Sequence, residues 1–145
     1  MKINIDTITR ASKELIGNII RTPTIRSQHL SSEINGEVFL KLENLQYTSS
    51  FKVRGAYTSI TRLKEDQKKV GVIAMSAGNH AQAVAWWAKK ERVNATIVMP
   101  EHAPLFKVMK TKSLGADVIL RGRTLNESQT YVAELVNDKN LTLIH

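Results

Sequence analysis

Two short segments carry residue types that could do chemistry. The first is Ser49-Ser50-Phe51-Lys52-Val53-Arg54-Gly55-Ala56, where a lysine follows a phenylalanine and leads into a helix-like stretch. A lysine partly desolvated by such a neighbour more readily presents a free amine, and a free amine is a Schiff-base nucleophile. The second is Ser76-Ala77-Gly78-Asn79-His80, which joins an apolar run to another helix-like stretch. Its small residues let backbone approach a ligand, and Ser76 or Asn79 can cap the helix. The first-turn N–H groups and the positive helix end can then hold an anion such as a carboxylate. Taken alone, each segment also has an ordinary reading. Lys52 is one of 21 lysines and arginines, and the turn resembles any capped strand-to-helix connection.

Other chemistries find no support. With no cysteine there is no thiolate nucleophile, disulfide or sulfur-ligated metal. His29, His80, His102 and His145 lack the close spacing of a zinc site, so no metal is expected. The seven glycines are isolated, and neither GxGxxG nor GxxxxGK[ST] occurs. Trp86-Trp87 falls in mid-helix, where packing is expected rather than cofactor stacking.

The elements that must position these segments follow from periodicity. Ile8, Ala11, Leu15, Ile16, Ile19 and Ile20 have helical spacing, with Thr7 or Asp6 as cap and Thr22-Pro23 as stop. Val38, Leu40 and Leu42 alternate with Glu37, Phe39 and Lys41 as a strand does, after a turn at Asn35-Gly36. A polar loop over 43–50 precedes a short helix near Lys52 to Leu63. Apolar runs at Val70–Met75, Ala95–Met99, Ala116–Leu120 and Leu141–Ile144 then alternate with helix-like stretches at Asn79–Glu91, Pro104–Leu114 and Thr124–Asn137. Pro104 suits a first helical turn and Gly115 a helix end. This rhythm demands right-handed crossovers, hence an α/β fold with an open parallel sheet and helices on both faces.

Composition sets the outer bounds. The chain has 145 residues, 42% hydrophobic and 23% charged, enough for one core. No run approaches a membrane span, and Met1 to Arg10 is too polar for a secretory signal, so a cytoplasmic protein without membrane contact is expected. The net charge of +8 is spread along the chain without interleaved aromatics, which argues for solvated helix faces and against nucleic acid as a partner.

Together the two segments resemble the serine/threonine dehydratase (threonine ammonia-lyase) family of fold type II pyridoxal-phosphate enzymes. The string "VFLKLENLQYTSSFKVRGA", Val38 to Ala56, is similar to that family's lysine motif, and "SAGNHAQA", Ser76 to Ala83, to its substrate loop. "IVMPEHAPLFKV" and "LGADVIL" follow in the family's order. The resemblance runs the length of the chain. It implies that Lys52 binds pyridoxal 5′-phosphate covalently and then takes the substrate α-proton. It implies that Phe51 packs beside the cofactor and that Asn79 hydrogen-bonds the ring 3′-oxygen. Ser76, Ala77, Gly78, Asn79 and His80 would cradle the substrate carboxylate. The implied reaction is dehydration and deamination of L-threonine or L-serine to a 2-oxo acid and ammonia. A homo-oligomer is the implied assembly.

Departures from the pattern refine these expectations. Ser49 and Ala83 replace glycines, and Ser49 places a Cβ where a positive φ is wanted. Related serine racemases have a second serine where Ala77 stands, so elimination is expected over racemisation. The family's glycine-rich phosphate cup lies further along the chain than residue 145. The family pattern therefore divides the sequence into an N-terminal segment of the large domain, 1–53, and a small α/β domain, 54–145. Because the sequence stops at the end of a strand, a truncation is expected, with incomplete activity. The alternative is an inactive remnant that serves as a small binding domain. In either case the helix bearing Ile8, Leu15, Ile16 and Ile19 is expected to expose an apolar stripe and favour self-association.

Overall fold

A computed structural model describes residues 3–145. Met1 and Lys2, with which the expected segment 1–53 and the expected signal-free N-terminus begin, lie outside the described residues. Four strands form a fully parallel sheet: β3 (Val72–Met75), β4 (Ala95–Met99), β5 (Asp117–Leu120) and β6 (Thr142–Leu143), in spatial order β5-β4-β3-β6. The register pairs Val72 with Ala95, Thr96 with Asp117 and Val72 with Thr142. The α/β expectation therefore holds, including its helices on both faces.

Strand alternation explains the layering. Val72, Ala74, Ala95, Ile97 and Met99 face one way, into a core shared with α3 (Lys52–Thr61) and α5 (Asn79–Lys90). Ile73 and Val98 face the other way, onto Val132 and Leu135 of α7 (Leu125–Lys139). The helix α6 (Leu105–Ser113) adds Val108 to the first layer. The chain steps outward from β3 to β4 to β5, then α7 crosses back to place β6 on the other side of β3. With right-handed crossovers that reversal puts α7 on the opposite face and opens a crevice between the ends of β3 and β6, where ligands of such sheets bind. Among the described residues no helix is long and apolar enough to cross a membrane.

The region before α3 is built differently. Helix α1 (Ile5–Glu14) buries none of its residues. A three-residue hairpin pairs β1 (Thr24–Arg26) with β2 (Phe39–Lys41) antiparallel, all six residues exposed. Between them lies α2 (Gln28–Glu33), and a 3₁₀ turn over Glu43–Leu45 follows.

Several sequence expectations are corrected. The first helix is capped by Asn4, not Thr7 or Asp6: Asn4 Oδ1 accepts from the Thr7 N–H at 2.9 Å, and Thr7 Oγ1 returns the bond at 3.1 Å. The helix stops at Glu14 rather than near Ile20, because the chain turns through Gly17 at φ +78°. The strand expected from Val70 begins at Val72. Residues Glu65–Val70 instead form helix α4, ended by Gly71 at φ +107°, where a Cβ would lie 2.8 Å from the Asn94 carbonyl oxygen. β1 and α2 have no counterpart in the periodicity, since neither has an apolar face to reveal it. Pro104 stands at the N-cap of α6, one residue before the first turn.

Candidate active site

Lys52 is the first residue of α3 and Phe51 its N-cap. The helix presents Val53, Ala56 and Ile60 to the core, so Lys52, Gly55 and Ser59, at spacings of three and four, form an adjacent stripe. This stripe lines a cavity of about 220 Å³ together with Phe51, Arg54, Ala56, His80 and His145. The structure thus brings Phe51, Lys52 and His80 to one place. Lys52 Nζ lies 5.3 Å from the Phe51 ring centroid. Among the described residues no carboxylate is within ion-pairing distance of it. Both residues are exposed, so the partial desolvation of Lys52 expected from the sequence is not provided by Phe51.

The turn 76–78 follows β3 and opens α5 at the crevice. Gly78 is the N-cap, and no side chain caps the helix. This corrects the expectation that Ser76 or Asn79 fills that role. Ser76 Oγ accepts instead from the Gly78 N–H at 3.1 Å, inside the turn. The start of α5 therefore keeps uncapped donors and the positive end of its dipole. Asn79 is the exposed first residue of α5. Ser76, Ala77 and Gly78 are half-buried in the turn, outside the lining of the lysine cavity. His80 joins the two places: its Nε2 lies 3.1 Å from the Ile144 carbonyl oxygen just past β6.

Two glycines border this region with no packing reason to be glycine. A Cβ on Gly55 would meet nothing within 4 Å, and one on Gly78 would meet only Ser76 Oγ, at 4.0 Å. Glycine within a helix costs about 1 kcal/mol relative to alanine, yet Gly55 occupies the middle of α3. The space it leaves faces the cavity that Lys52 lines.

The polar anchors of the lysine segment were not evident in the sequence. Arg54 donates from Nε and Nη2 to the two oxygens of Glu43, both at 2.8 Å, and Thr22 Oγ1 donates to the same carboxylate at 2.6 Å. The Arg54 hydrogen bonds hold the Glu43 carboxyl at about 2, against the opposing effect of burial. Gln46 bonds both backbone groups of Ile20, accepting from N–H at 3.2 Å and donating to C=O at 2.6 Å. No helical or strand spacing links positions 22, 43 and 54. Ser49, between these anchors and Lys52, has φ +56°, the positive value expected where the family pattern has glycine.

The family profile described as "Pyridoxal-phosphate dependent enzyme" matches residues 15–145. A catabolic L-threonine dehydratase of Staphylococcus aureus (strain USA300) is 49% identical over 144 residues, spanning 99% of this chain and 42% of that protein. The processed form of threonine deaminase isoform 2 from Solanum lycopersicum superposes with a TM-score of 0.85 at 33% identity, over 100% of this chain and 41% of its own. Maize serine racemase superposes at 0.91 with 32% identity, over 100% and 44% respectively. The chain thus spans about two fifths of the length of these relatives.

Proposed function

Since this chain belongs to the family of pyridoxal-phosphate-dependent enzymes, we propose that it serves the dehydration and deamination of a hydroxy amino acid, L-threonine or L-serine, to a 2-oxo acid and ammonia. The observation that carries the reading is the convergence of Lys52 and His80, from the starts of α3 and α5, on one cavity. An amine and a carboxylate-binding helix start are the two functions a site for an α-amino acid needs at close quarters.

The residues present fit the cofactor. Lys52 offers an amine without a carboxylate partner among the described residues, Phe51 an exposed ring beside it, and Gly55 and Gly78 leave open space where side chains could stand. In this reading Lys52 would hold pyridoxal phosphate through Nζ, with Phe51 beside the ring and Asn79 as the hydrogen-bond partner of its 3′-oxygen. When bound, the conjugated ring of the cofactor takes up the electron pair left at the substrate α-carbon. Lys52 Nζ would be the base that removes the substrate α-proton. The turn from Ser76 to His80 orients the substrate by its carboxylate, so the proton faces Lys52. Ala77 has no hydroxyl with which to return a proton to the opposite face, which favours loss of the β-hydroxyl over racemisation.

The reading also assigns 1–53 to the N-terminal segment of a larger cofactor domain and 54–145 to a small α/β domain. The burial of Val53, Ala56 and Ile60 against α5 supports a boundary near Lys52. A cytoplasmic location and a homo-oligomeric state belong to the same proposal. The site is tested by incubating the chain with pyridoxal phosphate, reducing with borohydride and mapping the modified peptide. Selective labelling of Lys52, abolished in Lys52→Ala, is expected. Labelling scattered over many lysines would favour the alternative of an inactive remnant with a binding role.

A further inference from the structure

The loop that delivers Lys52 is unfavourable by itself. Ser49 has a left-handed backbone at φ +56°. On either side of it, the buried hydroxyls of Thr48 and Ser50 have no hydrogen-bond partner among the described residues. A loop of this kind persists only where its surroundings hold it. On one side the Glu43–Arg54 pair and Gln46 do so, through Thr22 and Ile20. On the other side the contact is aromatic.

Tyr47 stacks on Trp86 of α5 with ring centroids 4.6 Å apart and planes 22° from parallel. Lys90 Nζ sits 4.2 Å from the Trp86 centroid and 5.4 Å from that of Tyr47, closing the stack with a cation. Trp86 meets Trp87 edge-on at 4.6 Å. Trp87 in turn donates from Nε1 to the Val53 carbonyl at 2.8 Å and meets the Tyr57 ring at 4.7 Å. The tryptophan pair thus grips the chain on both sides of Lys52, at 47 and at 53. Trp86 is seven residues beyond Asn79, two turns or about 10 Å along the same helix. The element that opens with the carboxylate turn is therefore the one that holds the lysine loop.

We propose that Tyr47 and Trp86 are positioning residues, a latch that fixes the loop bearing Lys52 to the helix bearing the 76–80 turn. The latch sets the reach of the amine toward the anion site while leaving both residues out of contact with the reacting atoms. It rests on the reading that Lys52 and the turn serve one ligand.

The test compares Tyr47→Ala and Tyr47→Phe with the unaltered chain in two measurements. Amide hydrogen exchange over residues 46–52 reads the latch without any cofactor. Borohydride trapping of pyridoxal phosphate reads the placement of Lys52. In Tyr47→Ala the loop amides are expected to exchange at least tenfold faster, with β3 and β4 unchanged, and the label on Lys52 to fall at least fivefold. Tyr47→Phe, which keeps the ring, is expected to restore both. Unchanged loop exchange in Tyr47→Ala overturns the latch. So does a loosened loop whose Lys52 still labels as in the unaltered chain. If the unaltered chain takes no selective label at Lys52, the functional reading fails, and the exchange result alone decides the latch.

Discussion

The two halves of this chain are stabilised by different physics. In the sheet layer, Val72, Ile73, Ile97, Val98 and Met99 have no solvent exposure at all, and helices cover both faces. Before α3, Ile5, Ile8 and Ile16 are exposed, Ile16 by 77%, and neither strand of the hairpin buries a residue. That region is tied down at a few points instead: Glu43 to Arg54 and Thr22, Gln46 to Ile20, Arg62 to Glu14 at 2.7 Å, the Tyr47 ring on Trp86, and Leu15 and Ile19 against the core. Packing is distributed and tolerant, whereas a polar anchor is local and fails with one atom. Lys52 sits at the seam between the two, where a packed helix begins and an anchored loop ends.

The largest expected effect contrasts the halves directly. Ile97→Ala removes a fully buried side chain from the larger core and should cost about 3 kcal/mol, read as a lower urea midpoint with unchanged slope. Ile16→Ala should stay within about 0.5 kcal/mol, since that side chain is already in water. Comparable losses for both would show that the N-terminal region is packed more than its exposure indicates.

The next effect breaks the anchor alone. Glu43→Gln leaves Arg54 without its carboxylate partner and should cost about 2 kcal/mol, with faster proteolysis before residue 50 as its signature. The contribution depends on pH in a definite sense. Glu43 titrates near 2 in the folded protein, against an ordinary value of 4.5. Its stabilisation is therefore complete above about 4.5 and is lost as pH falls toward 2. The unaltered protein should lose stability through that window, and Glu43→Gln should lose distinctly less.

The smallest effect separates stability from function at the seam. Gly55→Ala should stabilise α3 by about 1 kcal/mol, because the added Cβ meets no neighbour. If the space over Gly55 belongs to the cofactor, the same variant should lose selective pyridoxal phosphate trapping at Lys52. A stabilised variant that traps normally would remove Gly55 from the site.

Much of the candidate site was legible because its signals are local. The lysine segment and the 76–80 turn could each be read within eight residues, and their joint resemblance to one family needed no coordinates. The positive φ of Ser49 was anticipated in the same way. The helix cap at α5 was not, because Ser76 Oγ turns inward to the Gly78 N–H, a choice that residue type alone leaves open. The expected apolar stripe was half correct. Ile8 and Ile16 are exposed as anticipated, but Leu15 is buried and Ile19 packs on the core, because the helix ends before them and the chain turns back.

The sequence by itself determined the α/β rhythm, the parallel sheet and the two candidate segments, since alternation, helical period and motif are properties of neighbours along the chain. The tertiary structure decided where those segments meet. That β6 returns beside β3, that Glu43 finds Arg54, that Tyr47 lies on Trp86 and that His80 reaches the Ile144 carbonyl all depend on contacts between residues 11 to 70 positions apart. Such contacts are fixed by how packed layers close, and no local spacing encodes them.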